Sequence, residues 1–180
     1  MPGKPENQTS YDEPDGSSDV DTASVTTLAN LLTPERVLCN VTARSKKHCL
    51  EIVARLLTND QDSLTEAEVF DTIYQREKLG GTGLGEGFAL PHGRVEELEH
   101  SVGAFLMLTQ PIDFDLEGDE GVDMIFAMAV PENSDEQHLK DLSAIAQLLA
   151  NTDVRGKVSH LVSSTDIHQA LIELSASIED

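Results

Sequence analysis

Apolar residues recur at three- and four-residue spacing in two stretches of the first half of the chain, and this spacing predicts two amphipathic helices. The first helix starts at Ser45. The second starts at Thr65, which forms a capping box with Glu68, and it ends at the two glycines that follow Leu79. The apolar stripes consist of Cys49, Ile52, Val53, Leu56 and Leu57 in the first helix, and of Val69, Phe70, Ile73 and Tyr74 in the second.

The middle of the chain changes to continuous apolar runs of strand length. Residues 84–90, 102–109 and 122–130 predict strands, and the last two are apolar enough to be central in a sheet. A short strand at 39–42 adds to them.

Helical spacing returns in the last third of the chain. Ser134 followed by Gln137 is a helix-start signal, and two further helices are predicted at about 154–161 and 165–175. Helices first, strands in the middle and helices last predict an α/β sandwich with a mixed central β-sheet flanked by helices.

Residues 1–26 differ from this pattern. They carry six carboxylates against one lysine, with Ser, Thr, Pro and Gly between them. Such a segment has too little apolar surface to offset the entropy of ordering. We therefore predict an acidic disordered leader at 1–26 and a single domain at 27–180.

The charge balance narrows the classes of function. The chain has 12 Lys and Arg against 33 Asp and Glu, a formal net charge of −21. This balance argues against binding to nucleic acid and to anionic membrane surfaces. No apolar run is long enough to span a membrane, no secretion signal is evident, and the two cysteines predict buried thiols in a reducing compartment. The expected location is the cytoplasm.

The stretch from Arg76 to Arg94 carries the chemistry. It holds six glycines, but neither a dinucleotide-binding G-x-G-x-x-G nor a Walker loop fits their spacing. His92 follows Pro91, so we expect it on a loop just past the end of a strand. A neutral imidazole has a lone pair at pH 7, and glycine-rich backbone with the flanking cations Arg76, Lys78 and Arg94 favours phosphoryl chemistry. The alternative is a structural turn with a surface histidine.

His138 is the second candidate. With Ser134 as the cap it lies in the first turn of a helix, where the dipole favours a nearby anion. It would then contact a phosphoryl group on His92, although an exposed first-turn histidine has the same spacing. The remaining histidines and the cysteines lack zinc-ligand spacing, so neither a metal nor another cofactor is expected.

The pattern R-E-K-x-G-x-T-G-x-G-x-x-x-A-x-P-H-G from Arg76 to Gly93, with P-x-x-x-x-x-x-H-L from Pro131 to Leu139, resembles the enzyme IIA components of the bacterial phosphoenolpyruvate:sugar phosphotransferase system, mannitol/fructose type. Within that family it looks most like the nitrogen-regulatory enzyme IIA. The resemblance implies that His92 is phosphorylated, that His138 stabilises the phosphoryl group and that Arg76 lies at the edge of the site. Thr82, Gly83 and Gly93 would belong to the phosphoryl loop.

The resemblance also implies partners. An HPr-like phosphocarrier protein would donate the phosphoryl group, and regulatory or transporter proteins would be the targets, so that phosphorylation signals nitrogen and potassium status. Two alternatives stay open: a sugar-specific enzyme IIA that passes phosphate to a IIB component, and a non-catalytic protein-interaction module.

Overall fold

The computed structural model describes residues 28–116, 121–134 and 136–178, so the predicted leader at 1–26 lies outside the described residues. The helices are α1 (Leu28–Leu31), α2 (Lys46–Leu57), α3 (Glu66–Leu79), α4 (Glu136–Ala150), α5 (Thr152–Val158) and α6 (Ser164–Ile178), with a 3₁₀ turn at Pro34–Arg36. The strands are β1 (Val37–Val41), β2 (Gly83–Gly85), β3 (Phe88–Ala89), β4 (His92–Val95), β5 (Val102–Ile112) and β6 (Val122–Pro131).

The two predicted helices of the first half are confirmed together with their start signals. The side chain of Ser45 accepts a hydrogen bond from the backbone N–H of His48 and caps α2. At α3 the complete capping box forms between Thr65 and Glu68, and Gly80 is the C-cap. These caps fix the ends of α3, whose last turn carries Arg76.

The sheet is mixed, as predicted. Its order is β1-β5-β6-β3-β2, and β4 also pairs with β6. Strand β5 is parallel to β1 and antiparallel to β6, whereas β3 and β4 are parallel to β6.

Helices cover both faces of this sheet, and two buried clusters result. Phe105 and Phe126 belong to the cluster that includes α1, α4, α5 and α6. Their neighbours Leu106 and Ile125 belong to the cluster that includes α2 and α3. Because successive side chains of a strand point to opposite faces, both faces of β5 and β6 must be apolar, which explains their continuous apolar sequence.

The predicted strand at 84–90 is in fact two short strands. Glu86 and Gly87 have positive φ angles of 53° and 84° and turn the chain between β2 and β3. The expectation that His92 lies on a loop is wrong, because His92 is the first residue of β4 and pairs with Met128. Pro91 lacks an N–H, but its carbonyl accepts from Met128 N at 3.0 Å, so the chain continues beside β6.

Two smaller expectations are also corrected, and one short helix was not predicted. Helix α4 begins at Glu136, and the predicted side-chain cap at Ser134 is wrong, because the Ser134 hydroxyl makes no hydrogen bond among the described residues. Cys49 is buried as predicted, but Cys39 is only half-buried. Helix α1 carries no sequence signal of its own; Leu28 and Leu31 are buried in the core beneath α6.

Within the described ranges, no helix combines the length and the apolar character needed to cross a membrane.

Candidate active site

His92, His138 and Arg76 line one cavity of about 450 Å³. The cavity lies between the last turns of α3, the start of β4 and the first turns of α4. The sequence predicted all three as site residues, and the fold brings them together. The two outermost, Arg76 and His138, are 62 positions apart along the chain. Gly93 also lines this cavity.

The imidazole of His92 is held in one orientation. Its Nδ1 lies 2.9 Å from the carbonyl oxygen of Leu90. A carbonyl only accepts, so Nδ1 carries the proton and Nε2 carries the lone pair. The nitrogen able to act as a nucleophile is therefore Nε2.

The pKa of His92 is lowered from its ordinary value. Burial of the half-exposed ring is the largest cause, and the positive charge of Arg76 lowers the pKa further. The hydrogen bond to Leu90 and the carboxylate of Glu77 act in the opposite direction without reversing the shift. His92 is consequently neutral at pH 7, the state in which a lone pair is present.

His138 is positioned by a residue that the sequence did not single out. The hydroxyl of Ser101, just before β5, lies 2.8 Å from Nδ1 of His138. Because Nδ1 is committed to Ser101, a contact between His138 and a phosphoryl group has to be made through Nε2. The two residues are far apart in sequence, and no local pattern links them.

Arg76 has two roles at this edge of the cavity. Its Nη1 donates to the carbonyl of Gly80, the C-cap residue of α3, at 2.9 Å. Its charge also acts on His92. Arg94 lines the cavity as well, whereas Lys78 lies over the ring of Tyr74, 4.4 Å from its centroid, and is not among the residues around His92.

Thr82 and Gly83 lie elsewhere. Neither is among the described residues that line the cavity. Thr82 is buried, its backbone N–H donates to Glu77 Oε1 at 3.1 Å, and its hydroxyl donates to Glu77 Oε2 at 2.5 Å. Lys46 completes this buried cluster with an ion pair to Glu77 at 2.8 Å. A Cβ at Gly83 would collide with Leu116, so this glycine permits close packing.

Gly93 allows β4 to approach α3. A Cβ there would lie 2.5 Å from Thr72 Cγ2 and 3.1 Å from the backbone nitrogen of Ile73. The missing side chain brings the strand that carries His92 against the helix that carries Arg76. Gly93 therefore contributes to the site because it allows close packing of β4 against α3.

The rim of the cavity is apolar. Leu79 and Leu139 line it, and they are 86% and 65% exposed. Two large exposed aliphatic side chains at the rim of a cavity are typical of a surface that contacts another protein. Among the described residues, no group of three or more His, Cys, Asp or Glu is arranged to hold a metal ion.

These features define an α/β domain with two histidines and an arginine around one apolar-rimmed cavity. The chain belongs to the family described as "Phosphoenolpyruvate-dependent sugar phosphotransferase system, EIIA 2", whose model matches residues 30–174. It is 36% identical over 147 residues to a nitrogen regulatory protein of Pseudomonas aeruginosa, and the match covers 82% of this chain and 96% of the relative. The family predicted from the sequence is confirmed, and the domain is a phosphotransferase component.

Solved structures agree with this assignment. The nitrogen regulatory protein IIA-Ntr of Neisseria meningitidis superposes with a TM-score of 0.75 at 33% identity, covering 80% of this chain and 98% of that one. The mannitol IIA of Escherichia coli, solved in complex with phosphorylated mannitol IIB, gives a TM-score of 0.66 at 21% identity, covering 79% and 97%. The second likeness shows the fold alone.

Proposed function

We propose that this protein is a phosphoryl carrier and regulator that accepts a phosphoryl group on Nε2 of His92 from an HPr-like phosphohistidine protein. The observation that carries the proposal is the fixed tautomer of His92, whose Nδ1 is bound to Leu90 while the ring stays neutral. Transfer in turn to a regulatory or transporter protein would let the phosphorylated fraction report nitrogen and potassium status. We also propose the cytoplasm as the compartment of this transfer.

The proposed step is an in-line exchange between two imidazoles. The lone pair of His92 Nε2 forms a bond to phosphorus, while the P–N bond of the donor breaks and its electron pair returns to the donor nitrogen. The proton on Nδ1 stays on the ring. The Leu90 carbonyl then stabilises the positive charge that the ring acquires when Nε2 is phosphorylated.

The other residues of the cavity would act on the phosphoryl oxygens. Arg76, from α3, would supply a positive charge, and His138, from α4, a hydrogen-bond donor; both line the cavity. Both would offset the negative charge spread over these oxygens and hold the phosphoryl group in line with Nε2 of His92. Thr82, which the resemblance placed in the phosphoryl loop, is proposed instead to hold that loop through Glu77.

The experiment is a phosphotransfer assay with enzyme I, an HPr-like protein and labelled phosphoenolpyruvate. We expect label on the wild-type protein that is acid-labile and alkali-stable, no label on His92→Ala, and reduced label on His138→Ala. His160→Ala is the matched control, because His160 is exposed and lies outside the cavity. Undiminished labelling of His92→Ala would exclude this assignment.

A second candidate is a sugar-specific enzyme IIA. It is favoured by the description of the matching family, which is that of a sugar phosphotransferase system. Incubating the labelled protein with fructose and mannitol IIB domains discriminates between the two, since rapid loss of label to a IIB domain would support sugar uptake. A protein that takes no label from an active donor yet retains a partner would be an interaction module.

Phosphorylation would also change the surface that partners meet. It adds about −1.5 to −2 charges at neutral pH. These charges would appear between the exposed Leu79 and Leu139, on a chain that already carries −21. A target should therefore distinguish the two states, and calorimetry with a target protein tests this: equal affinities would argue against it.

A further inference from the structure

The hydroxyl of Ser134 is shielded from solvent and has no hydrogen-bond partner among the described residues. Ser134 itself is held firmly, because its backbone N–H donates to the carbonyl of Pro131 at 3.1 Å in the turn between β6 and α4. Buried hydroxyls in folded proteins are nearly always paired, since leaving one unpaired costs free energy. An unpaired hydroxyl in an ordered turn therefore needs an explanation.

Its location supplies one. Ser134 lines the same cavity as His92 and His138. A phosphoryl group bound to His92 would bring three oxygens, all hydrogen-bond acceptors, into this cavity. A neutral hydroxyl suits such a site because it donates to the group when present, and it adds no charge that would alter the neutral state of His92 beforehand.

We propose that Ser134 Oγ donates a hydrogen bond to a phosphoryl oxygen of phosphorylated His92, which makes Ser134 a further residue of the phosphoryl site. This inference rests on the proposed function and deepens it. Without the phosphoryl group the hydroxyl is unpaired, which costs free energy. With the phosphoryl group it gains a hydrogen bond, so both effects shift the equilibrium towards the phosphorylated state. The sequence predicted Ser134 as a helix cap, but its hydroxyl makes no capping hydrogen bond among the described residues.

The test measures the equilibrium of phosphoryl exchange between the HPr-like donor and this protein. Ser134→Ala should lower that equilibrium constant by about 10- to 150-fold, the effect of losing one hydrogen bond to a charged group. Ser134→Thr retains the hydroxyl and should restore most of it. In the unphosphorylated state, Ser134→Ala should be as stable to urea as the wild type or slightly more stable, because it removes an unpaired hydroxyl.

Thr33 provides a matched control. Its Oγ1 is also buried and unpaired, but Thr33 does not line the cavity. Thr33→Val should leave the exchange equilibrium unchanged.

Three outcomes would overturn the inference, and they separate it from the proposed function. If the wild type is labelled on His92 but Ser134→Ala has the same equilibrium constant, only the role of Ser134 fails. If unphosphorylated Ser134→Ala is clearly less stable than the wild type, the hydroxyl has a structural partner instead. If the wild type takes no label from an active donor, the proposed function fails and the role of Ser134 fails with it.

Discussion

Replacing Thr82 by valine tests whether the Thr82 hydroxyl stabilises the fold or contacts the phosphoryl group. Valine has nearly the same shape but lacks the hydroxyl, so it removes one hydrogen bond and leaves the packing in place. In the structure that bond runs to the carboxylate of Glu77, which is 3% exposed and also binds Lys46. The substitution therefore leaves one carboxylate oxygen of a buried ion pair without its donor.

The size of the effect follows from the kind of bond. A hydrogen bond to a charged group contributes about 1.5–3 kcal/mol. For a domain of this size, each kcal/mol shifts the melting temperature by about 2–4 °C. We therefore expect Thr82→Val to melt about 3–12 °C lower than the wild type and to remain folded, because domains usually have about 5–15 kcal/mol of stability.

Urea denaturation gives the free energy of unfolding, and the phosphotransfer assay gives the activity of the same samples. We expect Thr82→Val to lose stability while its initial rate of labelling at 20 °C stays within about threefold of the wild type. Thr42→Val is the control: its hydroxyl is exposed and pairs only with the neutral Thr109 hydroxyl at 3.0 Å, so its stability should change little. Unchanged stability of Thr82→Val combined with a large loss of labelling would refute this reasoning.

Three further predictions concern other parts of the molecule. Ser101→Ala should slow labelling about 2- to 10-fold, as expected for one lost neutral hydrogen bond to His138, and Ser101→Thr should recover the rate; equal rates for Ala and wild type would contradict the positioning role. Because the pKa of His92 is lowered in the folded protein, the unfolded chain binds this proton first as the pH falls. The wild type should therefore lose stability below about pH 6.5 more steeply than His92→Gln, as read from urea midpoints, and parallel slopes would argue against the shift. Burial raises the pKa of Cys49 to about 12, so a thiol reagent at pH 8 should modify Cys39 alone in the folded chain and both thiols in urea; rapid reaction of both without urea would contradict the burial.

Much of the fold is predictable from local pattern. The capping box at Thr65 and the cap at Ser45 are signals carried within one turn of helix, and both are present in the structure. The apolar runs of β5 and β6 identify central strands because both of their faces are covered. His92 is identifiable because the whole loop signature surrounds it.

The remainder depends on partners that are distant in sequence. Pro91 normally ends a strand, but here its carbonyl binds Met128 and the pairing with β6 resumes at once. Ser101 is unremarkable until β5 places it beside His138. Thr82 lies in the signature loop, yet its hydroxyl and backbone N–H both donate to Glu77, a buried residue in the last turn of α3. In each case tertiary contact decides what the local sequence leaves open.

The order of strands in the sheet has a consequence for synthesis on the ribosome. Strand β1 is synthesised before β5, its neighbour in the sheet, so Val37 has no strand partner until Phe105 has been made. Helices α2 and α3 likewise bury their apolar faces against strands made later. A nascent chain that stops short of β5 thus exposes the apolar stripes of two helices with nothing to cover them, and we expect such chains to bind chaperones until the β5–β6 hairpin has left the exit tunnel.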